Sequence, residues 1–204
     1  MELPRKFENR PNGRIRLHHS FNGNNTELDY FISRAPAIVG VVLAFTTDGL
    51  KVLITKRSEK MMDEAGKIGV PCGYLDWDES GYFGMMREVY EETSLFMPDY
   101  EKYTLFNNNK QPFFVKDDPK ADKRQNVSLL YITAYDFHGE IKADNDAFPA
   151  DIENFICKET AWVKWMKVID FFNTNMNYDW AFNHDETIKS ALQFLNKNFN
   201  RAEL

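Results

Sequence analysis

Gly73-Tyr-Leu-Asp-Trp-Asp-Glu79-Ser-Gly-Tyr-Phe-Gly-Met-Met-Arg87-Glu88-Val-Tyr-Glu91-Glu92-Thr-Ser-Leu95 is the most densely patterned part of the chain. No proline interrupts residues 81–93, and Ser80 stands where an N-cap belongs, so the span is predicted to be a helix. Phe83, Met86, Tyr90 and Thr93 recur at helical spacing, with Tyr82 and Val89 beside them, and read as the stripe that faces a core. Arg87, Glu88, Glu91 and Glu92 then fall on the opposite side. Glu88, Glu91 and Glu92 stand at i, i+3 and i+4, so their carboxylates share one face. Like charges at this spacing weaken a helix by about 0.2–0.5 kcal/mol per pair. They also lie toward the C-terminal end, where the helix dipole disfavours negative charge. A hard divalent cation offsets this cost, and Mg²⁺ is typically held by a few carboxylates together with substrate phosphates. Taken alone, the spacing leaves a solvated acidic face open as the alternative.

Working outward, the 204 residues are 43% hydrophobic and 15% aromatic, enough to bury a substantial core as one domain and too apolar for a disordered chain. The formal net charge of −6 argues against a nonspecific nucleic-acid binder. Neither a basic-then-apolar N-terminus nor a long apolar run is present, so no signal peptide and no membrane span are expected. Cys72 and Cys157 form no metal motif, which fits a reduced, cytoplasmic setting.

Upstream, residues 1–34 are polar and read as irregular. Arg14-Ile-Arg-Leu17 alternates like a short strand, and Asn22-Gly23 marks a turn. Ala35–Phe45 is a nearly continuous apolar run, the pattern of a strand buried on both faces. After the Asp48-Gly49 turn signal, Lys51–Arg57 reads as the returning strand. Ser58–Lys67 is a polar connection with room for a helical turn.

Downstream, Tyr103–Phe106 reads as a short strand. Asn107–Asn126 is polar, contains Pro112 and Pro119, and has no periodicity; loops of that length are usually functional or disordered. Val127–Phe137 is rich in β-branched and aromatic residues and reads as a strand. An acidic stretch with Glu140, Asp144, Asp146, Asp151, Glu153 and Glu159 leads to a strand at Ala161–Trp165. A helical region begins at Met166–Phe172. In the last helix Ile188, Ala191, Leu192 and Leu195 form the apolar stripe, with Asn183 or Asp185 as its cap.

The quoted stretch resembles the Nudix box at nearly every fixed position: Gly73, five residues, Glu79, seven residues, then Arg87-Glu88-apolar-X-Glu91-Glu92-X-X-apolar. Ser94 departs from it, standing where the family usually has a glycine suited to a left-handed C-cap. A serine there should cost roughly 1 kcal/mol or force another cap. Cys72 stands where a second glycine is common. The resemblance implies an α/β (α+β) fold, an α/β/α sandwich with a mixed sheet flanked by helices. It implies a single domain over 1–204, whose N-terminal segment can supply a hairpin for a homodimer.

The resemblance also implies a pyrophosphohydrolase acting on a nucleoside diphosphate linked to a group X. Glu88, Glu91, Glu92 and the Gly73 carbonyl would hold Mg²⁺, with Mn²⁺ as a substitute. Arg87 would pair with Glu79, and Glu91 or Glu92, or else a carboxylate of the acidic stretch that no fixed spacing singles out, would accept the proton in catalysis. Arg57 closes its strand within reach of phosphates or as a solvated cation. Trp77 stacks on a base or packs. Asp117–Ser128 resembles, loosely, a loop of members acting on ADP-ribose, where Arg124 would contact the diphosphate. Phe182-Asn183-His184 resembles a signature placed before the last helix, so Phe182 and His184 either approach substrate or serve packing and capping. Together these features favour ADP-ribose or a nucleotide sugar over a nucleoside triphosphate or dinucleotide. A noncatalytic nucleotide-binding module is the rival from another class. The implied partner is a small nucleotide, with neither nucleic acid nor membrane.

Overall fold

The computed structural model describes residues 14–21, 24–31, 35–118, 126–137, 148–173 and 178–199. The chain divides into two units, Met1–Ala35 and Pro36–Leu204. In the first, β1 (Arg14–Phe21) and β2 (Asn24–Phe31) pair antiparallel, from Arg14 opposite Phe31 to Phe21 opposite Asn24. Within the segment read as irregular, the strand expected at Arg14–Leu17 runs on to Phe21 and pairs with β2. Backbone pairing needs no apolar alternation, which is why the polar run His18-His19-Ser20 concealed it. Asn22 and Gly23, read as the turn, lie outside the described residues.

In the second unit, eight strands among the described residues form one mixed sheet. β3 (Pro36–Thr46) and β4 (Gly49–Arg57) run antiparallel, joined at Thr47-Asp48. β9 (Val127–Asp136) lies parallel to β3 along its other edge, with Val41 opposite Ile132. β10 (Thr160–Lys167) runs antiparallel along β4. β7 (Thr104–Phe106) and β8 (Phe114–Lys116) pair with opposite ends of β9. β8 was hidden in the aperiodic stretch 107–126, because three residues are too few to show a period of two.

The position of the site follows from how β3 and β4 part. They pair from Thr46 opposite Gly49 to Leu43 opposite Val52, and then diverge. The chain that follows β4 fills the wedge. β5 (Ile68–Gly69) pairs with the end of β4, and β6 (Cys72–Tyr74) pairs with the start of β3. Between them the Gly40 N–H donates to the Pro71 carbonyl at 2.9 Å. The quoted stretch thus begins inside the sheet.

Helices cover both faces. Along β3, Ile38, Val42 and Ala44 enter one apolar cluster and Val39, Val41 and Leu43 the other. The first face is covered by α1 (Gly81–Thr93), a one-turn α2 (Val168–Phe171) follows β10, and the second face is covered by α3 (His184–Asn198). Ile188, Ala191 and Leu195 of α3 are buried and Leu192 is partly so, as its periodicity requires.

The face of α1 differs from the one expected. Met85, Val89 and Thr93 point inward together with Glu88 and Glu92, whereas Phe83 is 64% exposed and Tyr90 50% exposed. Apolar residues at 82, 83, 85, 86, 89 and 90 almost encircle this helix, so period alone selects no single face. Gly40 of β3 selects it. A Cβ at that position would stand 3.0 Å from Met85 Cγ and 3.2 Å from Val89 Cγ2, so the missing side chain lets Met85 and Val89 come down on the sheet. Ser80 caps the helix as predicted, its Oγ accepting from the Phe83 N–H at 3.4 Å. Ser94 keeps the left-handed conformation (φ 65°) that a glycine would adopt, and its N–H donates to the Tyr90 carbonyl at 2.7 Å.

Candidate active site

The turn before α1 is held by one arginine. Arg87 grips Glu79 with two nitrogens, Nη2 to Oε1 at 2.7 Å and Nε to Oε2 at 3.1 Å. Its Nη2 also donates to the Tyr74 carbonyl at 2.9 Å. Glu79 Oε1 in turn accepts from the Asp76 N–H at 2.8 Å. The Arg87 hydrogen bonds hold the Glu79 carboxyl below its ordinary range, overcoming a burial effect that pushes the other way. This planar fork fixes the connection between β6 and α1. The connection carries Trp77, which is 96% exposed, so the packing alternative does not hold for it.

Glu88 and Glu92 occupy the inner face of α1, 8% and 5% exposed. Burial raises the Glu88 carboxyl, Arg87 opposes that, and the charges of Glu91 and Glu159 add to it. Burial likewise raises Glu92, with Glu88 as the second cause, and its pKa is pushed up to about 8. Arg57 and the Cys72 N–H, which donates to Glu92 Oε2 at 3.3 Å, pull the other way. Gly73 lies directly under Glu88, and any Cβ there would overlap the carboxylate. That close approach, rather than a turn, is what requires glycine at this position. Glu91 looks outward with its side chain 57% exposed, and Arg87 Nη1 reaches both it (3.2 Å) and Glu88 Oε1 (2.7 Å).

A second group arrives from the far side of the wedge. β10 starts with Thr160 opposite Arg57, and the Ser58 N–H donates to the Glu159 carbonyl at 2.7 Å. Register therefore sets Glu159 beside the end of β4, and its charge raises both Glu88 and Glu92. Glu159 was one of six carboxylates that no spacing distinguished. Strand register supplies the missing signal. Of the others, Glu153 Oε1 accepts from the Trp165 N–H, and Glu140, Asp144 and Asp146 lie outside the described residues.

Arg57 lies over the Phe182 ring, 5.1 Å from its centroid. His184 is 3% exposed, and its Nδ1 accepts from the Val70 N–H at 3.1 Å, so that nitrogen serves the backbone leading into Pro71 and Cys72. Arg124 lies outside the described residues.

As the side chains stand, no three His, Cys, Asp or Glu groups among the described residues converge to hold a metal ion, and Arg87 holds an oxygen of Glu88 and one of Glu91. The donors are nonetheless those of a hard cation: three carboxylates and, beneath one of them, the Gly73 backbone. Two of the carboxylates are buried beside each other, with ionisation opposed by desolvation and mutual repulsion. A divalent ion relieves both costs, and on that ground the residues fit one.

The model of the NUDIX domain matches residues 34–189. The chain belongs to the Nudix family. The probable nudix hydrolase C6G9.05 of Schizosaccharomyces pombe is 30% identical over 146 residues, which are 70% of this chain and 46% of that protein. The chain thus spans about half the length of the curated relative it matches. The NUDIX domain of Shewanella oneidensis NrtR, solved with ADP ribose, is 21% identical over 81% of this chain and 91% of that one, with a TM-score of 0.54. A bifunctional NMN adenylyltransferase/ADP ribose pyrophosphatase of Francisella tularensis, solved with AMP and a Mn ion, is 18% identical over 80% and 42% of the two chains, with a TM-score of 0.56. At these identities the two structures establish the Nudix fold, a mixed sheet between helices. No helix among the described residues is long and apolar enough to cross a membrane.

Proposed function

We propose that this Nudix chain is a divalent-metal-dependent pyrophosphohydrolase. Its substrate in this reading is a nucleoside diphosphate joined to a group X, with ADP-ribose or a nucleotide sugar as the first choice. The observation that supports this best is the burial of Glu88 and Glu92, side by side and against Gly73, on the inner face of α1. A carboxylate pair kept out of water against its own electrostatics is costly unless a cation joins it.

Glu88, Glu91, Glu92 and the Gly73 carbonyl would hold Mg²⁺, or Mn²⁺ in its place, which when bound neutralises the diphosphate and acidifies a water. Arg87 and Glu79 keep the carboxylates aimed. Arg57 donates to diphosphate oxygens from across the wedge. Glu159 accepts the proton of the water that attacks phosphorus in line, and Trp77 offers an exposed ring on which a base stacks. A base alone supplies about 10²–10⁴-fold, well short of the rate enhancement on the order of 8 kcal/mol that enzymes provide at minimum. Charge stabilisation at the phosphate must supply the rest. Arg124 and the N-terminal hairpin complete the reading, as a diphosphate contact and a homodimer interface in a cytoplasmic protein.

The test is product release from a panel of ADP-ribose, nucleotide sugars, dinucleotides and nucleoside triphosphates, each with Mg²⁺ and with chelator. Turnover of a diphosphate-linked compound that chelator abolishes is the expected result. Triphosphate turnover alone would move the substrate class. Binding without turnover would make the chain a nucleotide-binding module, a reading consistent with its likeness to a NUDIX domain solved with ADP ribose.

A further inference from the structure

Among the described residues, Arg57 makes one hydrogen bond through its guanidinium, from Nε to the Asp63 carbonyl at 3.2 Å. One face of the guanidinium lies on the Phe182 ring. Its Nη1 and Nη2 form no hydrogen bond or ion pair with any described residue, although the charge acts on Glu92. An arginine anchored at Nε, covered on one face and open at both Nη atoms is a fork shaped for two oxygens of a phosphate.

The ring beneath it is held by a backbone that aromatic residues avoid. Phe182 has φ 52° and ψ 25°, and Asn183 follows with φ 57° and ψ 40°, two left-handed residues in succession just before α3. Left-handed backbone is disfavoured for residues with a Cβ, and such strain persists only where its surroundings enforce it. Here the strain does not serve capping, because the Asn183 side chain makes no cap hydrogen bond to α3. It aims the Phe182 ring. The ring meets the His184 imidazole, centroids 5.6 Å apart, and His184 is pinned by the Val70 N–H. It also meets Arg57.

The geometry points to Phe182 as a positioning residue: in contact with a fixed imidazole and with Arg57, its ring holds the guanidinium so that Nη1 and Nη2 face the diphosphate. Phe182 touches no substrate in this arrangement; it acts through Arg57. The inference rests on the diphosphate reading of the site.

The experiment measures ADP binding by calorimetry in the presence of Mg²⁺, and KM and kcat on whichever diphosphate-linked compound turns over. The variants are Phe182→Leu, Phe182→Tyr, Arg57→Ala and the double variant Phe182→Leu/Arg57→Ala. Phe182→Leu is expected to weaken ADP binding and raise KM by roughly fivefold while kcat changes by less than twofold, the range of a partly desolvated cation–π contact. Phe182→Tyr keeps the ring face and should restore wild-type binding. In the Arg57→Ala background, Phe182→Leu should add nothing, since the two act as one unit. Equal ADP affinity of Phe182→Leu and wild type overturns the inference, as do additive losses in the double variant, an unaffected Arg57→Ala, or no ADP binding to wild type at millimolar concentration. Failure of the hydrolase reading is a separate outcome, absence of metal-dependent turnover, and the binding arm is measured without turnover.

Discussion

The two helices that cover the sheet follow opposite rules. α3 buries Ile188, Ala191 and Leu195, with His184 and Thr187 beside them in its first turns, and keeps its Asp, Glu and Lys side chains out of the core. α1 buries Glu88 and Glu92 beside Met85 and Val89, leaves Phe83 and Tyr90 largely in solvent, and ends on a left-handed serine. Thr133, on the strand face toward α1, adds a buried hydroxyl with no hydrogen-bond partner among the described residues. The α3 face is built for packing. The α1 face gives up packing and solvation to keep carboxylates at one place in the wedge, and departures from local rules of this kind are expected at functional sites.

That contrast can be broken by experiment. The largest expected effect is on the α1 side: Glu92→Gln should cut turnover by about 10²–10³-fold or more, the scale of losing one preorganised charge-stabilising group. The variant should melt at or above the wild-type temperature in chelator, because a neutral amide has no ionisation for burial to oppose and still accepts from the Cys72 N–H. Mg²⁺ should raise the melting temperature of the wild type and not of Glu92→Gln, by linkage. Full turnover in Glu92→Gln would end the metal assignment.

On the α3 side, Ile188 is fully buried, and Ile188→Ala should cost about 2–5 kcal/mol in urea denaturation with turnover per folded molecule within twofold of wild type. A catalytic defect as deep as that of Glu92→Gln would dissolve the division of labour between the two faces.

Two smaller substitutions sharpen it by repairing the α1 face. Thr133→Val conserves shape and removes the unpaired hydroxyl, and should stabilise by about 1–2 kcal/mol. Ser94→Gly relieves the left-handed C-cap and should add about 1 kcal/mol. Both gains are read as shifts in the denaturation midpoint; a loss of stability in either variant would show that the local departure is not a strained one.

The strands at 36–46, 49–57, 127–136 and 160–167 could be located from their β-branched and apolar runs, and α1 from Ser80 and the absence of proline. Glu79 and Arg87 could be paired through the motif, and their bidentate contact is present. Local periodicity was silent where the partner was distant in the chain. It did not say which face of α1 packs, because the reason is Gly40 on another element. It could not choose Glu159 from six carboxylates, because the reason is its register beside Arg57.

Local sequence was enough to place the long strands and helices, the motif and the chemical type of its donors, all properties written within a few residues of one another. Tertiary structure alone decided that Glu88 and Glu92 are buried, that Arg57 and Glu159 share their wedge, and that Phe182 lies under Arg57. Those facts depend on segments more than a hundred residues apart being brought within a few ångströms, and no local propensity encodes such a distance.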